Sequence, residues 1–345
     1  MKALNYLMLL GLPGLVVAGY TLGGVWNYLV PASCFIIYPL INLFFPKKEQ
    51  AESPVLSYHA SWPYTVVAIC FIPALFGLTI WSLSVVSGTS ISIAFFGLAL
   101  SVGIVNGVIG FTLAHEFIHR RSSFERLCGY LLLLQNNYVH YGIEHIRGHH
   151  VYGCTPEDPH TARCGESLYA FLFRAVEGTL LNAWHINQKR MPGHLIICWV
   201  LQAGVMTAIF FIAGLPGLLF FLLQNFIAIF LLHVINYMQH YGLSRSKEAN
   251  GYYEKPGPQH AWNTGQHNSV LNLFQLESHA DHHMHPSRSY DRLRTYDVSP
   301  QHPMGYSFMV LLALVPPFWF KVMDAKLNSN TVDANRLSHA APYHP

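Results

Sequence analysis

The sequence predicts an all-α integral membrane protein, a six-helix bundle with a histidine-rich cap that holds two metal ions on the cytoplasmic side. Composition is the first reason: the 345 residues are 52% hydrophobic and only 11% charged, whereas a soluble domain carries about 25% charged residues. The second reason is that the apolar residues form runs long enough to cross a bilayer, and the third is that histidines cluster where these runs end. The formal net charge of +3 is too small to indicate nucleic-acid binding.

Six apolar runs are candidate spans, because a spanning helix needs about 20 mostly apolar residues. They cover about 3–22, 25–46, 62–84, 91–113, 195–213 and 217–237. The first run lacks a convincing signal-peptide cleavage site, so we expect it to be retained. Two other apolar stretches are interpreted as re-entrant or surface helices, since 127–140 is too short to span and 306–323 contains two prolines.

The charged residues fall on one side of this bundle. The loops near 23–24, 85–90 and 214–216 contain no Lys, Arg, Asp or Glu, so all 20 basic and 17 acidic residues lie on the opposite side or at span ends facing it. Because basic loops stay in the cytoplasm, we expect that side and both termini to be cytoplasmic in a bacterial inner (plasma) membrane. We expect a single membrane domain over 1–327, whose cytoplasmic metal-binding parts are 114–194 and 238–305. A loosely ordered polar tail over 328–345 is expected to follow it.

Nine histidines stand at the cytoplasmic ends of the spans and beyond them, in four short clusters. The clusters are HEFIH (115–119), EHIRGHH (144–150), NYMQHYGL (236–243) and ESHADHH (277–283). Neutral imidazole is the commonest protein ligand for a transition metal, and nine rings exceed the four positions of a tetrahedral site. The pattern therefore predicts two metal ions, with these ligands: His115, His119, His145, His149, His150, His240, His279, His282 and His283.

Residue spacing predicts which rings share an ion. His145 and His149 are four residues apart and His279 and His282 are three apart, so each pair lies on one helical face and is expected to bind one ion. His150 is expected to point in a second direction.

Four carboxylates close to the clusters are expected to orient the ligands by accepting the N–H of the ring nitrogen that faces away from the metal. They are Glu116, Glu144, Asp158 and Asp281. The alternative is that they are solvated loop charges, and any of them could also bridge the two metals. The other twelve histidines are interpreted as surface residues or residues behind the ligands. Among these, His233 lies within the sixth span, where a buried histidine is a functional candidate, but direct metal binding is the less favoured role for it.

The motifs resemble those of the membrane-bound alkane 1-monooxygenases. HEFIHR, EHIRGHH, NYMQHYGL and ESHADHHMHPSRSY are similar to the family patterns HExxHK, EHxxGHH, NYxEHYGL and LQRHSDHHAHPTR, and TPEDPHTARCGESLYAF (155–171) and PQHAWNT (258–264) match further family segments. The resemblance covers about residues 90–327. It implies a desaturase-like, non-haem di-iron monooxygenase with two Fe ions, without haem or flavin. The implied reaction uses O₂ and electrons from rubredoxin, through its reductase, to hydroxylate the terminal methyl group of an alkane.

Two departures from the family patterns bear on the substrate and the donor. Gln239 stands where the pattern has Glu, and the last cluster opens with Leu276-Glu277-Ser278 in place of LQR. They leave room for an enzyme resembling xylene monooxygenase, which hydroxylates aryl methyl groups. Fatty-acyl desaturases and hydroxylases carry similar clusters and stay open as alternatives. A metal transporter is disfavoured, because the spans contain no Lys, Arg, Asp or Glu to line a path for ions.

The electron donor is expected to be a separate protein. The six cysteines include no CxxC pair, so a fused rubredoxin- or ferredoxin-type iron centre, a thiolate zinc site and a disulfide framework are all unsupported. Four arginines could meet an acidic rubredoxin or ferredoxin-type partner, or could simply follow the charge bias of cytoplasmic loops. These are Arg120, Arg121, Arg126 and Arg147.

Overall fold

The computed structural model describes residues 3–44, 62–264 and 274–337, and within these ranges it contains helices and no β-strand. The all-α prediction is therefore confirmed. The helices in chain order are α1 (Ala3–Leu22), α2 (Gly24–Ile41), α3 (Trp62–Val86), α4 (Ile93–Ile118), α5 (Ser123–Gln135), α6 (141–152), α7 (Leu168–Arg190), α8 (His194–His240), α9 (His279–Met284), α10 (Tyr306–Ala313) and α11 (Pro316–Leu337).

Five of these helices, α1 to α4 and α8, are long and apolar enough to cross a membrane. Helix α8 has 47 residues, about 70 Å at 1.5 Å per residue, which is more than twice the hydrocarbon thickness of about 30 Å. Its backbone leaves helical geometry at Gly214, where φ is 67° and ψ is −171°. This break falls in the predicted loop 214–216. The number of crossings stays a prediction, and the last two residues of the predicted span 25–46 lie outside the described ranges.

Helix α4 is fixed in the middle of the bundle by glycine and amide contacts. A Cβ atom at Gly103 would lie 2.7 Å from the carbonyl oxygen of Gln224, so α4 and α8 approach this closely only because the residue is glycine. Asn106 Nδ2 donates to Gln224 Oε1 (2.8 Å), and Gln135 Nε2 of α5 donates to Asn106 Oδ1 (3.2 Å). These contacts set the position of the C-terminal end of α4, which carries His115.

The last apolar stretch is divided into two helices. A break after Ala313 leaves α10 eight residues long, about 12 Å, which is too short to cross a bilayer, and α11 is not among the candidate spans of the described residues. Helix α11 continues to Leu337, into the polar tail that begins at 328, and the loose order expected for that tail stays a prediction. Residues 338–345 of that tail lie outside the described ranges.

Candidate metal centre

Four segments bring the nine predicted ligands together. His115 is on the last turn of α4 and His119 directly follows this helix, α6 carries three rings, His240 ends α8, and α9 carries the remaining three. Seven of the nine side chains are buried, and only His119 and His150 are half-buried. The rings form two neighbouring groups, and the candidate ligand atoms within each group lie within 4.8 Å of one another.

The five-ring group contains His115, His119, His145, His150 and His282. The four-ring group contains His149, His240, His279 and His283. The two groups are in contact: the rings of His150 and His283 stack with their centroids 4.6 Å apart. The structure thus places two nitrogen-rich sites side by side.

The division of rings between the groups corrects the pairing predicted from spacing. His145 pairs with His150, at 3.0 Å between their Nε2 atoms, and not with His149. The reason is that His145–His149 forms a π turn, in which hydrogen bonds span five residues instead of four. In α9, His279 pairs with His283 at the same 3.0 Å, and His282 belongs to the other group.

The donor set fits metal ions. His150 Nε2 lies 3.0 Å from Nε2 of both His145 and His282, and His279 Nε2 lies 3.1 Å and 3.0 Å from Nε2 of His240 and His283. A ring nitrogen carries at most one hydrogen, so hydrogen bonds cannot account for two such contacts at one atom. Metal–nitrogen bonds of about 2.1 Å at right angles would separate two nitrogens by about 3.0 Å. Several buried ring nitrogens, His149 Nε2 among them, also have no hydrogen-bond partner.

The rings are in the protonation state that binds metals. Burial, together with the charge that neighbouring rings would carry, lowers the pKa of the rings outside the spanning helices: His119 to about 3, and His145, His150, His279, His282 and His283 well below the usual value. These imidazoles are therefore neutral at pH 7, as metal ligation requires.

Asp158 contacts a predicted ligand as expected. Its Oδ2 lies 2.9 Å from His149 Nδ1 and accepts the Thr161 hydroxyl at 2.6 Å, and its Oδ1 accepts the backbone N–H of His160 at 3.0 Å. Burial alone would raise the pKa of Asp158, but His149 and the hydrogen bonds lower it below its usual value. The ionised carboxylate keeps the ring hydrogen of His149 on Nδ1, so that Nε2 faces the four-ring group without a hydrogen.

Glu116 and Asp281 have partners that differ from the prediction. Glu116 Oε1 lies 2.6 Å from Arg120 Nη2 and accepts the backbone N–H of Tyr290 at 3.1 Å. Both oxygens of Asp281 contact Arg288 Nη1, at 2.5 and 2.7 Å. Each carboxylate has a buried arginine nearby, which competes better than a neutral ring for a buried negative charge. They hold the metal-binding segments in place without a described contact to any of the nine rings.

Glu144 also has an unexpected partner, His160, which the spacing argument did not single out. His160 Nε2 lies 2.9 Å from Glu144 Oε2, its Nδ1 is 2.8 Å from Asn236 Nδ2, and its ring is 5.2 Å from that of His149. Burial lowers the pKa of His160, but Glu144 and Asp158 outweigh this and raise it above the usual value. The only sequence signal for His160 is its place in TPEDPH, because helical spacing carries no information in a turn.

His240 has a sulfur atom and not a carboxylate behind it. Cys154 Sγ lies 3.4 Å from His240 Nδ1 and 2.8 Å from the carbonyl oxygen of His260, and burial raises the pKa of the Cys154 thiol. His233 belongs to neither group, and its Nε2 lies 2.8 Å from the Tyr138 hydroxyl. Four of the other histidines lie outside the described residues: His59, His267, His339 and His344.

An apolar cavity leads to the two groups. Its wall is mostly apolar and includes His115, His145 and His279. Along α4 it extends from Gly107 to His115, a helical rise of about 12 Å. Such a cavity suits a long apolar ligand with one end at the metal groups.

Only part of the predicted arginine patch faces outward. Arg120 is buried against Glu116 and donates to the Ser289 hydroxyl at 2.7 Å. Arg126 donates to the carbonyl oxygens of Arg120 and Arg121 at 3.1 and 2.5 Å. Arg121 and Arg147 are exposed.

Comparison with known proteins yields three kinds of relative. The fatty acid desaturase family model matches residues 91–313. Alkane 1-monooxygenase 2 of Pseudomonas aeruginosa is 37% identical over 319 residues, covering 88% of this chain and 85% of its own length. Alkane 1-monooxygenase 2 of Alcanivorax borkumensis is 34% identical over 319 residues, covering 88% and 83%. The hydroxylase component of xylene/toluene monooxygenase from Pseudomonas putida is 25% identical over 338 residues, covering 94% and 88%.

Proposed function

This chain belongs to the alkane 1-monooxygenase family, and we propose that it hydroxylates the terminal methyl group of alkanes at two iron ions held by the nine histidines. The observation that carries this proposal is the cavity, whose apolar wall ends at rings from both groups. The overall reaction consumes the alkane, O₂, two electrons and two protons, and yields the alcohol and water.

The protein's own residues bind and orient the reactants. When bound, the iron pair would supply the redox chemistry that reduces O₂ and oxidises the C–H bond. His115, His119, His145, His150 and His282 would hold one ion, and His149, His240, His279 and His283 the other. Imidazole nitrogens would also accept zinc or copper, so the assignment of iron relies on family membership. The apolar wall of the cavity between α4 and α8 would keep water away and would present one end of an extended chain to the rings.

The electrons would come from rubredoxin or a ferredoxin-type protein and its reductase. The chain contains no CxxC pair for an iron–sulfur centre of its own. Arg121 and Arg147 are exposed cations next to ligands of the five-ring group, where an acidic carrier would be attracted. The uneven distribution of charge between loops supports an inner-membrane protein with this face in the cytoplasm.

The decisive test combines metal analysis with product analysis. We expect the purified protein to carry about two irons per chain, as two nitrogen-rich groups require. Cells that express it with a rubredoxin system and are fed octane, hexadecane and xylene in parallel should form the terminal alcohol of an alkane by gas chromatography. His149→Ala and His282→Ala, one from each group, should each abolish turnover and lower iron content, whereas the exposed His185→Ala should do neither. Wild-type iron content and turnover in both ligand variants would overturn the ligand assignment.

Hydroxylation of aryl methyl groups is the second candidate. It is favoured by the similarity to the xylene/toluene monooxygenase component. A benzylic alcohol from xylene, without alcohol from either alkane, would replace the first proposal by this one.

A further inference from the structure

A buried strap (262–264) joins the two positions at which the motifs depart from the family pattern. The backbone N–H of Trp262 donates to the carbonyl oxygen of Gln239 (2.9 Å), and the backbone N–H of Thr264 donates to the carbonyl oxygen of Glu277 (3.4 Å). The N–H of Asn263, which lies between them, donates to the carbonyl oxygen of Pro300 on the opposite side of the strap. Alternate amides of an extended chain point the same way and lie about 7 Å apart. The strap therefore holds the backbones of Gln239 and Glu277 side by side.

Gln239 contacts the side chain of Tyr306. Gln239 Nε2 donates to the Tyr306 hydroxyl oxygen at 3.1 Å, and Gln239, Glu277 and Tyr306 are all buried. Burial raises the pKa of Tyr306, and the charge of Glu277 raises it further. The phenol thus keeps its hydrogen and remains a donor while its oxygen accepts from Gln239. Tyr306 and Gln239 line the cavity together with His279.

We propose that Gln239 and Glu277 form a matched amide–carboxylate pair that positions the Tyr306 hydroxyl at the metal end of the cavity. In the patterns that the motifs resemble, NYxEHYGL and LQRHSDHH, the first position is Glu and the second is Gln, whereas this chain has Gln239 and Glu277, so relative to those patterns the carboxylate and the amide have exchanged places. The two positions together still carry one carboxylate and one amide. This is the outcome expected when the two positions share a constraint, since two buried carboxylates repel each other and two amides lack the charged acceptor. The effect on turnover depends on the proposed function, but the pairing does not.

The experiment is a double-substitution cycle in the full-length protein, with melting temperature, iron content and turnover as readouts. Gln239→Glu and Glu277→Gln are each expected to lower the melting temperature and to reduce turnover about tenfold or more, a loss typical of a broken buried interaction. The double variant restores one carboxylate and one amide, so its turnover should return to within about threefold of wild type and its melting temperature should recover.

Gln202 supplies a matched control. It is a buried glutamine on α8 beyond the break at Gly214 and donates to Asn137 Oδ1 at 2.7 Å. Gln202→Glu also adds a carboxylate to α8, but combined with Glu277→Gln it should give only the sum of the two single effects. In a Tyr306→Phe background, the coupling between Gln239 and Glu277 in turnover should disappear.

Two outcomes overturn the pairing: additive effects of the two substitutions on both melting temperature and turnover, or a double variant no better than its worse single variant. Recovery of folded protein in the double variant supports it even where a single variant fails to accumulate. If the wild-type protein hydroxylates none of the substrates tested, the proposed function fails, and the cycle in melting temperature still decides the pairing.

Discussion

Asp158→Asn is expected to weaken metal binding without removing a ligand. In the native protein Asp158 Oδ2 faces His149 Nδ1 at 2.9 Å and the Thr161 hydroxyl at 2.6 Å, both inside the protein. Asparagine has nearly the same shape but a single acceptor oxygen. If that oxygen takes the place of Oδ1 and keeps the backbone N–H of His160, the amide N–H₂ takes the place of Oδ2 and donates to His149 Nδ1 and to the Thr161 oxygen. The ring hydrogen then moves to Nε2, the atom that faces the four-ring group.

The size of the effect follows from the bond that is lost. A hydrogen bond to a charged group contributes about 1.5–3 kcal/mol, and about 1.4 kcal/mol corresponds to a tenfold change in an equilibrium constant. Metal affinity should therefore fall about 10- to 100-fold, as is usual for groups behind a metal ligand. The loss should fall on the ion that His149 and its group are proposed to hold, so that iron content at limiting iron declines from the proposed two per chain towards one.

The assay is iron content after competition with a graded series of chelator concentrations. Asp158→Asn should release its first iron at a lower chelator concentration than wild type, while Asp297→Asn, an exposed control, should not. Asp158→Glu keeps the charge and should lie between the two. Unchanged chelator resistance in Asp158→Asn would refute the reasoning about the ring hydrogen.

Three further outcomes are expected. Arg120→Ala leaves the buried Glu116 carboxylate without its 2.6 Å partner, a loss of about 3–5 kcal/mol that should lower the melting temperature, with Arg120→Lys recovering part of it. Val108→Phe fills the cavity partway along α4, so alcohol from hexadecane should fall relative to alcohol from octane by gas chromatography, with iron content unchanged. The metal-free protein should lose stability as the pH falls below about 6.5. The reason is that rings such as His119, whose pKa in the folded protein is about 3, take up protons in this pH range only on unfolding. A melting temperature that stays constant from about pH 8 to about pH 5 would contradict this.

The apolar runs could be located from the sequence because a helix that crosses the hydrocarbon core of a bilayer must consist mostly of apolar residues. The expected break near Gly214 follows from a glycine and a nearby proline between two apolar stretches. The convergence of the nine histidines was also predictable, since every cluster stands at the end of a span or on the same side of the bundle. Neither conclusion needs knowledge of how any two side chains touch.

The partners of the carboxylates required the tertiary structure. Glu116 and Arg120 are four residues apart on one face, a spacing visible in HEFIHR, but nothing in the sequence says that the pair is buried. Asp281 meets Arg288 across a turn, and Glu144 meets His160 across the segment that links α6 to α7. In each case the carboxylate lies against whichever basic side chain the chain path brings nearest, which spacing alone does not encode.

The division of rings between the two groups has a local cause. Neighbouring residues on a helix point about 100° apart, so each HH doublet is split: His149 and His283 turn to the four-ring group, His150 and His282 to the five-ring group. Regular α-helix in α9 then aligns His283 with His279. In α6 the π turn aligns His150 with His145, whereas an unbroken α-helix would align His145 with His149. A π turn is rare because its geometry is unfavourable, and here it gives the five-ring group a second ligand from α6 while His149 remains free to serve the other group. Two adjacent doublets thus tie the two groups of rings together at the end of one cavity.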